Sequence, residues 1–180
     1  MHEEQLTDQT NQEILIDLME KYGDIVFRIA FTYVKEKHLA EDLAQEIFIK
    51  CYQSLNTFQN RSSYSTWLYR ITVNYCKDYV KSNYFRNLIP QPFIKPKYEQ
   101  VEDSVVSQIL KNEENALLFH KVLKLTVKLR EVIIFYYYEG LSIDEISNIL
   151  KVKPNTVKTR LYRARKNLKS HIEGGMIFEE

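Results

Sequence analysis

The chain has 180 residues, 44% of them hydrophobic and 27% charged, with four glycines and four prolines. That apolar content can bury one or two small cores and excludes a disordered composition, while so few chain breakers exclude a turn-rich β-sandwich and favour long helices. The formal net charge of +1 hides an asymmetry: residues 1–24 carry Glu3, Glu4, Asp8, Glu13, Asp17, Glu20 and Asp24 against Lys21 alone, whereas residues 151–171 carry Lys151, Lys153, Lys158, Arg160, Arg163, Arg165, Lys166 and Lys169 without an acid, a distribution that points to a polyanionic partner.

Residues 1–11 read as a frayed polar start. From about Gln12 to Tyr33, Ile14, Leu15, Leu18, Tyr22, Ile25, Val26 and Ile29 recur with a helical period that predicts a first helix, interrupted near Gly23. A second helix is predicted from about His38 to Leu55. Its Ala40, Leu43, Ala44, Ile47, Phe48, Cys51 and Leu55 project to one side, and Asp42, Gln45, Glu46, Ile49 and Gln53 to the other. Solvation explains the polar residues of that outer face but not Ile49, and protein docking explains both, because interfaces ring apolar contacts with a polar rim; the pattern alone leaves the two readings evenly balanced.

A polar segment, Asn56 to Ser63, leads into a third predicted helix over Ser65–Ser82, with Tyr64, Trp67, Leu68, Ile71 and Tyr75 on one side and Arg70, Lys77 and Lys81 on another, Thr66 and Val73 between them. A basic stripe beside the one tryptophan suits phosphate tracking. Phe58, Gln59, Asn60, Arg61, Ser62, Ser63 and Tyr64 mix amides, hydroxyls, a guanidinium and rings that can stack on and hydrogen-bond to unpaired bases. The same pattern also fits an ordinary loop with Phe58 and Trp67 as core anchors.

Pro90, Pro92 and Pro96, followed by Glu99, Glu102 and Asp103, predict an extended linker over 85–106. Helical pattern resumes near Ser107 and runs to about His171, where Gly174 and Gly175 end it. The chain thus divides into helical domains at 12–84 and 107–172. Within the second, Ser142 and Glu145 form a capping box for a short helix ending at Leu150, Lys151-Val152-Lys153 forms a turn, and Pro154 opens another helix. On that last helix Val157, Leu161, Ala164 and Leu168 share an inward face. Asn155, Thr159, Tyr162, Arg163 and Lys166 point the opposite way with Lys158 beside them, and Arg160, Arg165 and Lys169 flank them for backbone phosphates. Cations, hydrogen-bonding groups and a ring on one exposed face are what a helix in the major groove needs. A lone basic run is more often a solvated face; a capped helix, a tight turn and a basic second helix together point to DNA binding.

Cys51 and Cys76 fall in helical apolar patterns and read as buried free thiols of a reducing cytosol. The four histidines are scattered, so no metal or other cofactor is expected. An acidic, polar start argues against a signal peptide and no apolar run is long enough for a membrane span, so a cytoplasmic location is expected.

Asp42-Leu43-Ala44-Gln45-Glu46-Ile47-Phe48 resembles the DxxQExF helix of the extracytoplasmic-function (group 4) σ factors of the σ70 family. Phe58 through Asp78 resembles the family's segment that opens and reads the −10 element. Glu139-Gly140-Leu141-Ser142, Glu145-Ile146 and Asn155 through Arg165 resemble its −35-reading helix-turn-helix. The resemblance covers nearly the full chain and rests on three ordered motifs and a linker.

It implies an all-α protein made of a region 2 helical bundle and a region 4 helix-turn-helix, joined by a flexible linker threaded along the polymerase. Such a factor binds core RNA polymerase through the β′ clamp and β flap, directs initiation on promoter DNA, answers to an anti-σ factor and is not an enzyme. By that resemblance Asp42, Gln45, Glu46 and Ile49 dock on core polymerase. Asn56, Phe58, Asn60, Arg61, Ser62, Ser63, Tyr64, Trp67, Arg70 and Lys77 bind and melt the −10 region, with Asn56 to Tyr64 holding a flipped base. Asn155, Thr156, Lys158, Thr159, Arg160, Tyr162, Arg163 and Lys166 read the −35 element.

Two departures stand out: Leu125 to Glu131 lacks the proline common before the family's Arg-Glu pair, which bears on the local helix start, and Lys151 stands where a glycine is common, which bears on the turn. Other classes need other features. A stand-alone dimeric helix-turn-helix regulator has no use for the N-terminal motifs, a DNA-processing enzyme needs a nucleophile or paired metal-binding carboxylates in a pocket, and a protein-binding adaptor would not bind promoter DNA even with polymerase.

Overall fold

A computed structural model describes residues 2–59, 62–88 and 113–173. Cα proximity divides the chain into two compact units, Met1–Tyr98 and Glu99–Glu180, and among the described residues every regular element is a helix. The prolines of the predicted linker and the Gly174-Gly175 stop lie outside the described residues.

The first unit contains α1 (His2–Val34), α2 (Lys37–Ser54), a 3-10 turn (Leu55–Thr57) and α3 (Tyr64–Leu88). Helix α1 begins well before the predicted Gln12 and passes Gly23 without a break. Packing of α1 on α2 and α3 supplies what propensity does not. Leu18, Val26, Ile29, Ala30 and Phe31 are its buried stripe. Chain reversal into α2 uses Lys35 in the left-handed region at φ 59°. The Glu36 carboxylate then accepts the amides of His38 at 2.8 Å and Leu39 at 2.6 Å, capping α2.

Helix α2 buries Ala40, Leu43, Ile47, Phe48 and Cys51, and α3 buries Leu68, Tyr69, Val73 and Cys76. Buried Thr72 is satisfied by donating to the Leu68 carbonyl at 2.9 Å. Both cysteines are buried free thiols; burial pushes Cys51 up to about 12, so it stays protonated. Helix α3 continues through residues 85–88, which the sequence pattern assigned to the linker.

The second unit contains α4 (Glu113–Lys124), α5 (Val127–Ile133), a π-helical turn (Ile134–Tyr138), α6 (Ile143–Leu150) and α7 (Pro154–Glu173); the last two are the helices predicted on either side of the Lys151–Lys153 turn, and the helical pattern before them is divided into α4, α5 and the π-helical turn. The α4–α5 break falls at the Thr126 position, where the family's proline is missing. Thr126 holds φ −63°, inside the range that a proline ring fixes. Arg130, 4% exposed, reaches back to donate to the Leu125 carbonyl at 2.7 Å. Helix α5 therefore starts in place without the ring.

At the end of the π-helical turn, Gly140 at φ 64° allows the Leu141 amide to reach the Phe135 carbonyl at 2.9 Å. Helix α6 carries the predicted capping box: the Ser142 hydroxyl accepts the Glu145 amide at 3.3 Å, and the Glu145 carboxylate accepts both the Ser142 amide at 2.8 Å and its hydroxyl at 2.7 Å. These bonds, the hydroxyl's first, hold the Glu145 carboxyl below its ordinary range. Helix α6 ends on Lys151, at φ 53° and ψ 48°, a left-handed cap that glycine would adopt without strain. The Val152 amide and carbonyl both return to Ser147, at 3.1 Å and 2.7 Å. Helix α7 packs on α5 and α6 over a core of Phe119, Ile146, Ile149, Val157, Leu161 and Ala164.

Candidate nucleic-acid interface

Helix α7 starts on Pro154, and the amides of Thr156 and Val157 turn back to the Lys153 carbonyl at 2.8 and 3.3 Å. Val157, Leu161 and Ala164 are at most 1% exposed, so the apolar stripe is seated against α5 and α6. That seating turns Asn155, Lys158, Thr159, Tyr162, Arg163 and Lys166 to the outside, and Tyr162 is 68% exposed. The Thr159 hydroxyl donates to the Asn155 carbonyl at 2.8 Å, which leaves its oxygen lone pairs and methyl facing outward, able to meet a base donor or a thymine methyl. Thr156 is half-buried at the edge of this face.

Arg160 departs from the expected arrangement. Its side chain is 18% exposed and turns in to the carboxylate of Glu131, 2% exposed, at 3.9 Å. The fall in charge cost on bringing an opposite charge beside a buried carboxylate draws the guanidinium inward, so Arg160 belongs to the anchoring of α7 on α5 rather than to its outer face. Arg165 and Lys169 are exposed on the opposite flank.

In the first unit the residues around the 3-10 turn converge on three rings. Phe58 lies 4.5 Å from Tyr64 and 4.9 Å from Trp67 between centroids, and Tyr64 meets Trp67 edge-on at 6.3 Å. All three are half-buried, so one wall of the cluster is open. Ser62 is half-buried; exposed Ser63 caps α3, accepting the Thr66 amide at 3.2 Å. Asn60 and Arg61 lie outside the described residues.

Exposed Asn56 is held by an element that the sequence did not connect to it: the Asn11 side-chain amide on α1 donates to its Oδ1 at 2.7 Å. Arg70 and Lys77 are half-buried on one face of α3 with exposed Lys81. Val73, placed by pattern among them, is 1% exposed and belongs to the core, and the exposed neighbour on that face is Asn74.

On α2, Asp42, Gln45, Glu46 and Ile49 are all exposed, Ile49 by 51% in the middle of the polar face. Glu46 also accepts a hydrogen bond from Tyr75 of α3; burial first, then the Glu46 charge, raises the Tyr75 hydroxyl above its ordinary range. Of the docking candidates, Glu46 therefore already has an internal bond. Among the described residues no group of three or more His, Cys, Asp or Glu is placed to hold a metal ion, and no helix is long and apolar enough to cross a membrane.

Against known proteins, the family described as Sigma-70 region 2 matches residues 18–86 and that described as Sigma-70, region 4 matches residues 117–168. The chain is 34% identical over 173 residues to the ECF RNA polymerase sigma factor SigW of Bacillus subtilis, covering 90% of each chain. It is 30% identical over 187 residues to the ECF RNA polymerase sigma-E factor of Escherichia coli K12, covering 94% of this chain and 96% of that one. Among solved structures it resembles CnrH, bound there to the cytosolic domain of CnrY, with a TM-score of 0.67 at 19% identity over 93% of this chain and 92% of that one. It also resembles RpoE of Bartonella quintana, bound there to the anti-sigma factor NepR, with a TM-score of 0.65 at 22% identity over 92% and 97% of the two chains.

Proposed function

The chain belongs to the extracytoplasmic-function branch of the sigma-70 family, and on that premise we propose how its two units share the work of promoter recognition. As an RNA polymerase sigma factor it binds core polymerase and directs initiation at specific promoters. Helix α7 enters the −35 major groove, with Asn155, Thr159, Tyr162 and Arg163 at base edges and Lys158 and Lys166 at groove phosphates. The observation that carries this assignment is the exposure of Thr159, Tyr162 and Arg163 on a helix whose opposite face is fully seated.

The first unit grips the −10 region. Arg70, Lys77 and the neighbouring Asn74 follow the backbone, while the open Phe58–Tyr64–Trp67 cluster, with Asn56, Asn60, Arg61, Ser62 and Ser63 around it, receives an unpaired base. Capture of that base shifts the duplex-opening equilibrium by binding free energy alone, without a covalent step. Asp42, Gln45, Glu46 and Ile49 dock α2 on the β′ clamp, and the second unit meets the β flap. Polymerase sets the spacing of the two promoter elements, and an anti-sigma factor that covers both units supplies regulation. The protein acts in the cytoplasm, as an initiation factor rather than an enzyme. A stand-alone regulator would leave the Ile49 face and the aromatic cluster without a task.

Run-off transcription with purified core polymerase on a genomic library tests the function and reads out the promoter consensus. Arg163→Ala lowers output and relaxes the preference at −35 bases; unchanged output and preference would remove Arg163 from the groove. Asp42→Arg with Gln45→Ala abolishes co-purification with core polymerase while leaving the helical signal intact, and undiminished co-purification would reject the docking face.

A further inference from the structure

Helix α7 has a second cationic feature beyond its outer face. Successive residues turn by about 100°, which puts Lys158, Arg165 and Lys169 together on the flank opposite Arg160. The π-helical turn Ile134–Tyr138 bears on this flank. Its extra residue per turn moves side chains out of α-helical register, so Ile134 and Phe135 stay in the core, at 1% exposure each, while Tyr137 emerges 54% exposed. The Tyr136 ring meets the Tyr137 ring edge-on at 5.0 Å and the Arg165 guanidinium lies over the Tyr137 ring, 5.9 Å from its centroid.

A guanidinium over a ring keeps its N–H edge available, because the attraction is to the π face and leaves the in-plane donors unspent. Arg165 is thus an oriented cation with open donors, and no acid occupies Pro154–Lys169 to compete for it.

We infer that Tyr137 is a positioning residue that aims Arg165 at a DNA phosphate beside the groove entered by α7, giving the second unit a backbone contact outside the base-reading face. The inference rests on the reading of α7 as the DNA-contacting helix. Aromatic support matters for Arg165 because a free arginine side chain must lose rotamer freedom when it binds; stacking on Tyr137 removes part of that freedom beforehand.

The test uses holoenzyme assembled from the full chain and core polymerase. The probes are a duplex spanning the strongest start site mapped by run-off transcription and a second duplex of scrambled sequence, each titrated over a range of KCl. Arg165→Ala lowers affinity for both duplexes by the same factor, since a phosphate contact carries no sequence information, and reduces the slope of log K against log salt by about 0.9. Tyr137→Ala weakens binding by roughly two- to fivefold. Tyr137→Phe retains binding, and Tyr137→Ala adds nothing in the Arg165→Ala background.

A Tyr137→Ala defect that persists undiminished when Arg165 is already alanine, or an unaltered salt slope in Arg165→Ala, overturns the inference. Arg163→Ala measured alongside separates the two levels. If it weakens binding to the mapped duplex and Arg165→Ala does not, the Tyr137–Arg165 contact falls and the DNA-reading helix stands. If neither changes binding, both fall.

Discussion

Arg160 is the residue for which sequence and structure assign different work, and a stability measurement separates them. At 3.9 Å from Glu131, an effective dielectric constant near 20 gives a Coulomb attraction of about 4 kcal/mol. Much of that is offset by desolvation of the two groups, so the net worth of the pair against an apolar one is small. Removing only Arg160 is different, because it takes an opposite charge away from a carboxylate that is 2% exposed and destabilises by about 2 kcal/mol, below the range for a fully uncompensated buried charge because Arg160 itself keeps 18% exposure.

In a unit of this size about 1 kcal/mol moves the midpoint by roughly 4–8 °C, so Arg160→Ala lowers the melting of the second unit by roughly 8–16 °C. The assay has a built-in control: Trp67 is the chain's one tryptophan and lies in the first unit, so its fluorescence reports on that unit while far-UV circular dichroism follows both. Arg160→Ala shifts the dichroism transition and leaves the tryptophan midpoint in place, and Arg160→Met combined with Glu131→Gln recovers most of the loss. If Arg160→Ala melts like the parent and instead flattens the salt dependence of DNA binding, the guanidinium is a phosphate contact and the anchoring argument is wrong.

Three further outcomes follow from backbone and cap geometry. Lys151→Gly relieves a left-handed residue and raises the stability of the second unit by about 1 kcal/mol by urea unfolding; a loss of stability would contradict it. A Cβ at Gly23 meets nothing within 4 Å in mid-helix, so Gly23→Ala raises the Trp67 fluorescence midpoint in urea by the equivalent of about 0.5–1 kcal/mol. Ser142→Ala costs about 1 kcal/mol at neutral pH. Because hydrogen bonds from Ser142 lower the folded Glu145 pKa, that contribution is complete above the unfolded carboxyl range and fades as pH falls through the lowered folded value. The gap between parent and Ser142→Ala should therefore narrow in acid, and a gap of constant size would show that Glu145 is not the partner.

Much of the second unit is written in local pattern. The stripe of Val157, Leu161 and Ala164 repeats with the helical period and is buried, and the Ser142–Glu145 box is a three-residue rule that the structure reproduces. The exposure of Ile49 was legible because the helical period places it on the polar side of α2. What escaped depends on contacts distant in sequence. Arg160 lies at the border of the outer face, and only the packing of α5 brings Glu131 under it. Val73 lies at a similar border on α3. The Asn11–Asn56 bond joins residues 45 positions apart, and Asn11 lay in a stretch that composition marks as frayed because its helix is held by packing rather than by propensity. The π-helical turn was hidden because Ile134 and Phe135 continue an ordinary helical apolar pattern.

These missed contacts bear on how the reading helix is held. Apolar packing through Val157, Leu161 and Ala164 fixes the distance of α7 from α5 and α6, but the hydrophobic effect is non-directional and tolerates small rotations about the helix axis. Base readout does not, since a hydrogen bond weakens steeply once its angle departs from linear. Rotation is resisted where α7 has directional contacts on both flanks: Arg160 to Glu131 on one side and Arg165 over Tyr137 on the other. Turning α7 either way stretches one of them. The outer face between the flanks, with Thr159, Tyr162 and Arg163, can then stay exposed and still point in one direction. A basic residue on the border of a reading helix can therefore matter as much by facing inward as by reaching the nucleic acid.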